Sequence, residues 1–214
     1  MSAAPDSPTD APDDALPPYQ GLSLAEVRMV ASAEDAEAAL AVLLGADALG
    51  FDTESKPTFR KGEVSTGPHL VQLATDQHAY LFQIGTLSGE AAAASSPIAA
   101  LRTVLESAAI LKVGFGLGDD KRRLQAKLGI DTRNVLDLAT ALRRGERNAW
   151  GAKTAVARFF GQRLQKSRRI TTTNWALPRL SEKQILYAAD DAHVALRIYR
   201  HWRAQAPARA PDPD

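Results

Sequence analysis

Cysteine is absent from this sequence of 214 residues, and histidine is scarce, with four scattered residues. Without cysteine there are no disulfides, no thiol nucleophiles and no zinc sites that need a cysteine ligand. The motifs H-E-x-x-H, G-x-S-x-G and G-x-x-x-x-G-K-[ST] are also missing, which argues against a zinc protease, a serine hydrolase and a P-loop protein. Carboxylates remain for chemistry, and they suit hard cations such as Mg2+ and Mn2+.

Long apolar runs are missing too. No uncharged stretch approaches the roughly 18 apolar residues that a membrane-spanning helix needs. The first 20 residues contain four Asp, five Pro and no Lys or Arg, whereas a secretory signal needs a basic start and an apolar middle. The sequence therefore predicts a cytoplasmic protein with no membrane partner.

Positive charge is concentrated in one segment, although the formal net charge is only +1. Residues 112–169 contain 15 Lys and Arg against 5 Asp and Glu, an excess of +10, so the rest of the chain sums to −9. Such a segment is typical of a protein that binds a polyanion, but solvated helix faces produce the same pattern. Charge alone leaves both interpretations open.

Composition predicts one folded domain between two tails. Residues 1–20 and 204–214 are rich in Pro, Ala and Asp and cannot bury a core, which predicts two disordered tails. Residues 21–203 contain no internal repeat and no second linker, and form the predicted domain.

Strand and helix patterns alternate inside this domain, which predicts an α/β fold with a mixed sheet flanked by helices. Strand patterns occur at residues 26–32, 49–54, 69–75, 78–84 and 110–115. Helical patterns occur at residues 32–46, 97–109, 120–129, 137–145, 151–161 and 181–202.

Four side chains on two of these elements can converge. Asp52 and Glu54 are two residues apart at the end of a strand, so both carboxylates point to the same face of the sheet. Tyr187 and Asp191 are four residues apart on the C-terminal helix and share one helix face. Each pair alone is ordinary, since the first fits a solvated turn and the second an exposed amphipathic helix.

Two further acids, Asp119 and Asp120, follow the strand at residues 110–115 and open a helix. Their simplest interpretation is a pair of N-terminal acids that the helix dipole favours. The residue pattern by itself does not decide which of the two would join the other carboxylates. Only the ordered combination of all three acidic elements is specific.

That combination resembles the DEDD superfamily of 3′–5′ exonucleases, in the subclass with a tyrosine in the third motif. Ribonuclease D and Werner-syndrome-type exonuclease domains are the most similar members. The three motifs are GFDTE, LKVGFGLGDDKRRL and LSEKQILYAADDAHVALRIY, and the resemblance extends over about residues 27–202. It implies a ribonuclease H-like mixed sheet flanked by helices, in a single DEDD exonuclease domain.

The resemblance also implies a mechanism with two Mg2+ or Mn2+ ions that releases nucleoside 5′-monophosphates from a 3′ end. Asp52 would bridge both ions, Glu54 and Asp191 would help hold one, and Asp120 would support the other through water. The family spacing selects Asp120 over its neighbour. The Tyr187 hydroxyl would orient the attacking water, because a phenol with a pKa near 10 is a poor base at neutral pH.

Basic and aromatic residues complete the predicted site. Lys166, Arg168 and Arg169 lie in a Ser/Thr-rich segment, and we expect them to contact substrate phosphates. Phe59 is expected to stack on a terminal base, with a loop-anchoring role as the alternative. Trp175 is predicted to be a core residue. The predicted partner is a single-stranded 3′ end, with DNA slightly favoured and ribonuclease D-like RNA processing as the alternative.

Two other classes compete with this interpretation. The segment VGFGLGDD follows a strand and opens a helix, as in a dinucleotide-binding oxidoreductase. Asp119, however, stands where that motif needs Gly or Ala, and the acids would repel a pyrophosphate, so no nucleotide cofactor is expected. A nucleic-acid-binding module without catalysis is the second alternative, and the complete set of acids argues against it.

Overall fold

The computed structural model describes residues 15–58, 62–85, 95–143 and 149–205. Within these ranges six strands form one sheet in the order β1-β4-β3-β2-β5-β6. β3 is antiparallel to both of its neighbours, and the other pairs are parallel, so the predicted mixed sheet is confirmed. The strands are β1 Val27–Val30, β2 Ala48–Glu54, β3 Leu70–Ala74, β4 Ala79–Gln83, β5 Leu111–Gly114 and β6 Val135–Asp137.

Helices cover both faces of this sheet, and a short 3-10 turn, Leu24–Glu26, precedes β1. Within the described ranges none of the helices is long and apolar enough to cross a membrane. The α-helices are α1 Ala33–Leu43, α2 Ser96–Glu106, α3 Gly118–Leu128, α4 Leu138–Ala141, α5 Ala152–Phe160, α6 Arg168–Thr171 and α7 Glu182–Gln205.

Residues 137–145, predicted as one helix, differ from the prediction. Val135–Asp137 instead forms β6 beside β5, and the helix that follows, α4, covers only four residues. A strand of three residues is too short to show the alternation that marks longer strands. Asp137 ends the strand and caps the helix, since its carboxylate accepts a hydrogen bond from the backbone N–H of Ala139 at 2.9 Å.

The central strand β2 separates two different environments. Leu49 and Phe51 point into the apolar core shared with α1 and α2. Gly50, Asp52 and Glu54 alternate with them and face α7. A Cβ atom on Gly50 would lie 1.9 Å from the carbonyl oxygen of Ala192. Glycine therefore lets α7 lie close against the strand that carries the two acids.

Part of the basic segment at residues 112–169 serves the fold. The Lys112 side chain is buried, and its ammonium donates to the carbonyls of Ser107 and Ile110 at 2.6 and 2.8 Å. Lys127 donates in the same way to the carbonyls of Pro68 and Gly85 at 2.8 and 2.9 Å. These two charges anchor loops, so the excess of +10 overstates what remains for a polyanionic partner.

Both ends of the predicted domain extend further than expected. The backbone of Tyr19 donates to the carbonyl of Arg163 at 2.9 Å, and Arg163 donates to the carbonyl of Pro17 at 2.8 Å. The Arg197 guanidinium lies 5.1 Å from the Tyr19 ring centroid. At the other end α7 continues to Gln205. The rest of both predicted tails lies outside the described residues.

Candidate active site

Strand β2 and helix α7 bring three carboxylates together. Asp52, Glu54 and Asp191 each offer a carboxylate oxygen, and these oxygens lie within 4.8 Å of one another. Glu54 and Asp191 are buried, at 8% exposure each. Three crowded carboxylates form a donor set that hard divalent cations prefer. We call these three residues the carboxylate cluster.

Asp120 lies at the edge of this cluster, on the first turn of α3. Its carboxylate accepts a hydrogen bond from the hydroxyl of Thr53, the residue between the two acids of β2. The neighbouring Asp119 is exposed and forms an ion pair with Arg122. The structure therefore places Asp120 beside the cluster and turns Asp119 to solvent.

Burial and mutual repulsion dominate the electrostatics of the cluster. Burial, and then the charges of Asp191 and Asp120, hold the pKa of Asp52 well above its usual value. Burial and the charges of Asp52 and Asp191 raise the pKa of Glu54 to about 9. Burial also raises the pKa of Asp191. Burial and mutual repulsion thus disfavour the ionised forms of all three groups, and the site has a high demand for positive charge.

Lys166 supplies one positive charge inside the cluster. Its ammonium lies 2.8 Å from Oδ1 of Asp191 and 6.0 Å from the ring centroid of Tyr187. Burial alone would lower the pKa of Lys166, but the charges of Asp191 and Asp52 raise it above its usual value. Sequence reasoning expects this lysine on the substrate backbone, whereas the structure places it on a cluster carboxylate.

Tyr187 faces the same region, one helical turn before Asp191. Its hydroxyl lies 3.0 Å from Oγ1 of Thr171. Burial and the charge of Asp191 raise its pKa to about 12, so the phenol keeps its proton at neutral pH. Trp175 is fully buried beside it, with ring centroids 6.1 Å apart, which confirms the predicted core role.

Sequence reasoning did not single out Thr171 or Arg123 for the site. Thr171 accepts the Trp175 indole N–H at its carbonyl, at 3.3 Å, and its only signal in the sequence is the Ser/Thr-rich segment. Arg123 donates to Oγ of Ser55 at 3.1 Å. The pKa of Asp120 is raised by burial, and the charge of Arg123 opposes that rise. The place of Arg123 in the helical pattern does not predict its contact with Ser55.

The other predicted contacts are less tied to the cluster. Arg169 is exposed on α6. Phe59 and the side chain of Arg168 lie outside the described residues. Asp190, next to a cluster residue, accepts the backbone N–H of Leu22 at 2.8 Å and is committed to the N-terminal segment.

The glycine-rich segment after β5 does not form an open cradle for phosphates. The backbone N–H groups of Gly116 and Leu117 donate to the carboxylate of Asp137, at 2.9 and 3.1 Å. An acid already occupies the donors that a pyrophosphate would need. This contact argues against a dinucleotide-binding oxidoreductase.

A mixed sheet with two acids on a middle strand, closed by a helix that brings a third carboxylate to them, defines a ribonuclease H-like nuclease class. A family model described as 3′–5′ exonuclease matches residues 27–205, and the chain belongs to this family. This match confirms the resemblance to the DEDD superfamily.

Individual relatives agree with this family. A 3′–5′ exonuclease of Arabidopsis thaliana is 27% identical over 158 residues, which cover 71% of this chain and 51% of that protein. The mouse bifunctional 3′–5′ exonuclease/ATP-dependent helicase WRN is 28% identical over 156 residues, 72% of this chain and 11% of that protein. The chain thus spans about half the length of the first relative and a small part of the second.

Solved structures show the same fold. The EXO domain of Aedes aegypti Nibbler superposes with a TM-score of 0.73 at 27% identity, covering 87% of this chain and 92% of that one. Trypanosoma brucei RNase D, in complex with RNA U12, gives a TM-score of 0.71 at 22% identity, with 86% and 64% covered. These likenesses confirm the predicted ribonuclease H-like architecture.

Proposed function

We propose that this protein is a metal-dependent 3′–5′ exonuclease that releases nucleoside 5′-monophosphates from a single-stranded 3′ end. The observation that carries the proposal is the carboxylate cluster, because its three acids lie within 4.8 Å of one another. They are also the residues that the resemblance to the DEDD superfamily assigns to its motifs. Buried carboxylates with raised pKa values, gathered around one point, are typical of functional sites.

Asp52, Glu54 and Asp191 would hold Mg2+ or Mn2+, and Asp120 would support a second ion through water. When bound, two such ions activate a water molecule and stabilise the leaving oxygen of an in-line displacement. The donor set fits, since it is all carboxylate and short of positive charge. The family to which the chain belongs generally uses divalent metal ions, which supports a metal at this cluster.

Tyr187 has a hydrogen-bonding role in this proposal rather than that of a base. Its pKa of about 12 keeps the hydroxyl protonated at neutral pH. A protonated phenol next to a metal-bound carboxylate can hold the attacking water in line with the phosphate. With this role for Tyr187, we propose that the chain belongs to the tyrosine subclass of the superfamily.

Cationic side chains around the cluster would bind the substrate backbone. Arg123 lies beside Asp120, and Arg169 is exposed on the helix before Trp175. Both would meet phosphate oxygens of the strand that enters the site. We propose DNA as the slightly favoured substrate. RNA 3′-end processing is the second candidate, favoured by the likeness to an RNase D solved with RNA U12.

The test is digestion of matched DNA and RNA oligomers, each labelled at the 5′ end or the 3′ end, with Mg2+ or Mn2+. We expect mononucleotide release from the 3′ end and none in EDTA. The variant Asp52→Asn is the matched control for a contaminating nuclease. Binding without cleavage in any metal would support the non-catalytic module instead. Release from the 5′ end would contradict the proposal.

A further inference from the structure

Lys166 is the cation nearest to the carboxylate cluster within the described part of the chain. It reaches Asp191 from the segment between α5 and α6. Asp191 retains 6% side-chain exposure in this pair and Lys166 retains 31%. The pair is therefore largely removed from water, where an ion pair is screened much less than on the surface.

The backbone that precedes Lys166 is held in place by hydrogen bonds. Its N–H donates to the carbonyl of Leu164 at 3.1 Å. Arg163, three residues earlier, exchanges backbone hydrogen bonds of 2.8 and 2.9 Å with Pro17 and Tyr19. The ammonium thus approaches the cluster from an anchored backbone, while its four-carbon stem stays free to rotate.

A divalent cation on Asp191 and an ammonium 2.8 Å from the same oxygen exclude each other. Two positive charges a few ångströms apart repel strongly in a partly buried site. The ammonium must therefore leave Asp191 when metal enters. A substrate phosphate bound beside the cluster would then offer this flexible side chain a new anionic partner.

We propose that Lys166 is a resident counter-cation that competes with the divalent metal for Asp191 and moves to the substrate phosphate when metal binds. The proposal rests on the proposed metal-dependent function and adds a control on metal loading. It also joins two roles in one residue: charge compensation without metal and phosphate contact with metal.

The variant Lys166→Met keeps the apolar stem and removes the charge. Its matched control is Lys153→Met, which makes the same charge change at an exposed position on α5. Titration calorimetry of metal-stripped full chain with MnCl2 measures the competition directly. We expect Lys166→Met to bind Mn2+ on the order of tenfold more tightly than wild type, because a competing charge is gone. Lys153→Met should match wild type.

Thermal unfolding gives a second, independent measurement. Without metal, Lys166→Met should melt below wild type and below Lys153→Met, because a buried carboxylate loses its partner. Saturating Mn2+ should close that gap. Lys166→Gln, a polar substitution of similar length, should show the same order if the methionine variant fails to fold without metal.

The outcomes separate the two proposals. Wild-type protein that binds Mn2+ while Lys166→Met binds it equally or more weakly would overturn the competition and leave the metal-dependent function standing. An equal melting temperature for wild type and Lys166→Met without metal would also overturn it. Wild-type protein with no Mn2+ binding at all would contradict both.

Discussion

Helix α7 meets the sheet through charged groups at both of its ends, and the two ends behave in opposite ways. Near its C-terminus Arg200 donates to both carboxylate oxygens of Asp47 at 2.6 Å, and to Asp76 at 3.2 Å. The Asp47 side chain is 73% exposed, and its hydrogen bonds to Arg200 lower its pKa to about 2. Nearer the N-terminus, Glu54 and Asp191 of the carboxylate cluster are buried, and burial and like charges raise the pKa of Glu54 to about 9.

The difference separates a contact that serves docking from one that serves chemistry. At the Arg200 end each charge is solvated or paired by a bidentate guanidinium, so the fold gains a modest stabilisation. At the cluster end the fold gathers like charges away from water, which costs stability unless a cation arrives. Groups of buried like charges that lower stability are typically found at functional sites.

The largest difference between the two contacts of α7 should appear when one acid is removed from each of them. Asp52→Ala or Asp191→Ala should abolish hydrolysis with the fold intact, because each removes a metal ligand. We expect a loss well above the roughly 10–100-fold that changes in outer-shell partners cause. Asp47→Ala should keep wild-type turnover. Single-turnover rates at saturating Mg2+ with circular dichroism measure both, and unchanged turnover in either cluster variant would remove the two-metal hypothesis.

The next prediction concerns Tyr187, at the cluster end of α7. Tyr187→Phe keeps the ring beside Trp175 but loses the hydroxyl, which lies 3.0 Å from Thr171 in this structure. If the hydroxyl positions the water, the single-turnover rate should fall on the order of 10²-fold. Substrate and metal affinity should change little. A rate within a few-fold of wild type would assign Tyr187 to packing alone.

Thr171→Val is the matched control for this change. It removes the hydroxyl that faces Tyr187 while leaving the tyrosine itself in place. We expect a smaller loss of rate than for Tyr187→Phe, because Thr171 acts through the phenol and meets no substrate. An equal or larger loss would show that Thr171 is the more important hydroxyl of the pair.

The main architecture was predictable because it depends on local patterns. Alternating and apolar runs gave β1 to β5, and the helical pattern at residues 32–46 contains α1, whose start is capped by Ser32 and Asp35. The spacing of Asp52 and Glu54 on a strand likewise predicted their common direction. Such features need only the period of the element and its end residues.

Features that depend on tertiary contacts were not predictable in the same way. The sequence predicts a phosphate contact for Lys166, and only the folding of the segment between α5 and α6 against α7 brings it to Asp191. Arg123 reaches Ser55 across 68 residues of chain. The commitment of Asp190 to Leu22 spans 168 residues. No local period encodes these contacts.

The third prediction uses the salt dependence of binding, measured with single strands in Ca2+ to suppress cleavage. Each phosphate contact contributes about 0.7 to the slope of log affinity against log salt for a single strand. Lys166→Ala with Arg169→Ala should therefore flatten the slope by about 1.4. Lys153→Ala with Arg200→Ala changes charge equally but away from the site and should keep the wild-type slope. A wild-type slope in the first pair would show that this segment does not contact phosphate.

The last prediction compares the two ends through the pH dependence of metal-free stability. Glu54 has a folded pKa of about 9 and an ordinary value of 4.5. Between these values the folded protein holds a proton that the unfolded chain has released, so stability falls as pH rises from 6 to 8. In Glu54→Gln this contribution is gone. The free energy of unfolding should therefore fall with pH less steeply in this variant than in wild type, by up to about 1.4 kcal/mol per pH unit.

Asp47→Asn removes an acid whose pKa is shifted downward rather than upward, beside Arg200 near the C-terminus of α7. Its folded pKa of about 2 lies below its ordinary value of 3.8, so its stabilisation is complete above pH 4 and is lost only as pH falls toward 2. Between pH 6 and 8 this variant should show a uniform loss of at most about 1 kcal/mol and the wild-type slope. Urea unfolding at each pH measures both variants.

Saturating Mn2+ should flatten the wild-type slope as Glu54→Gln does, because metal displaces the same proton. If neither Glu54→Gln nor saturating Mn2+ alters the slope of unfolding free energy against pH, Glu54 is ionised in the metal-free protein. The cluster would then need less additional positive charge than its burial indicates.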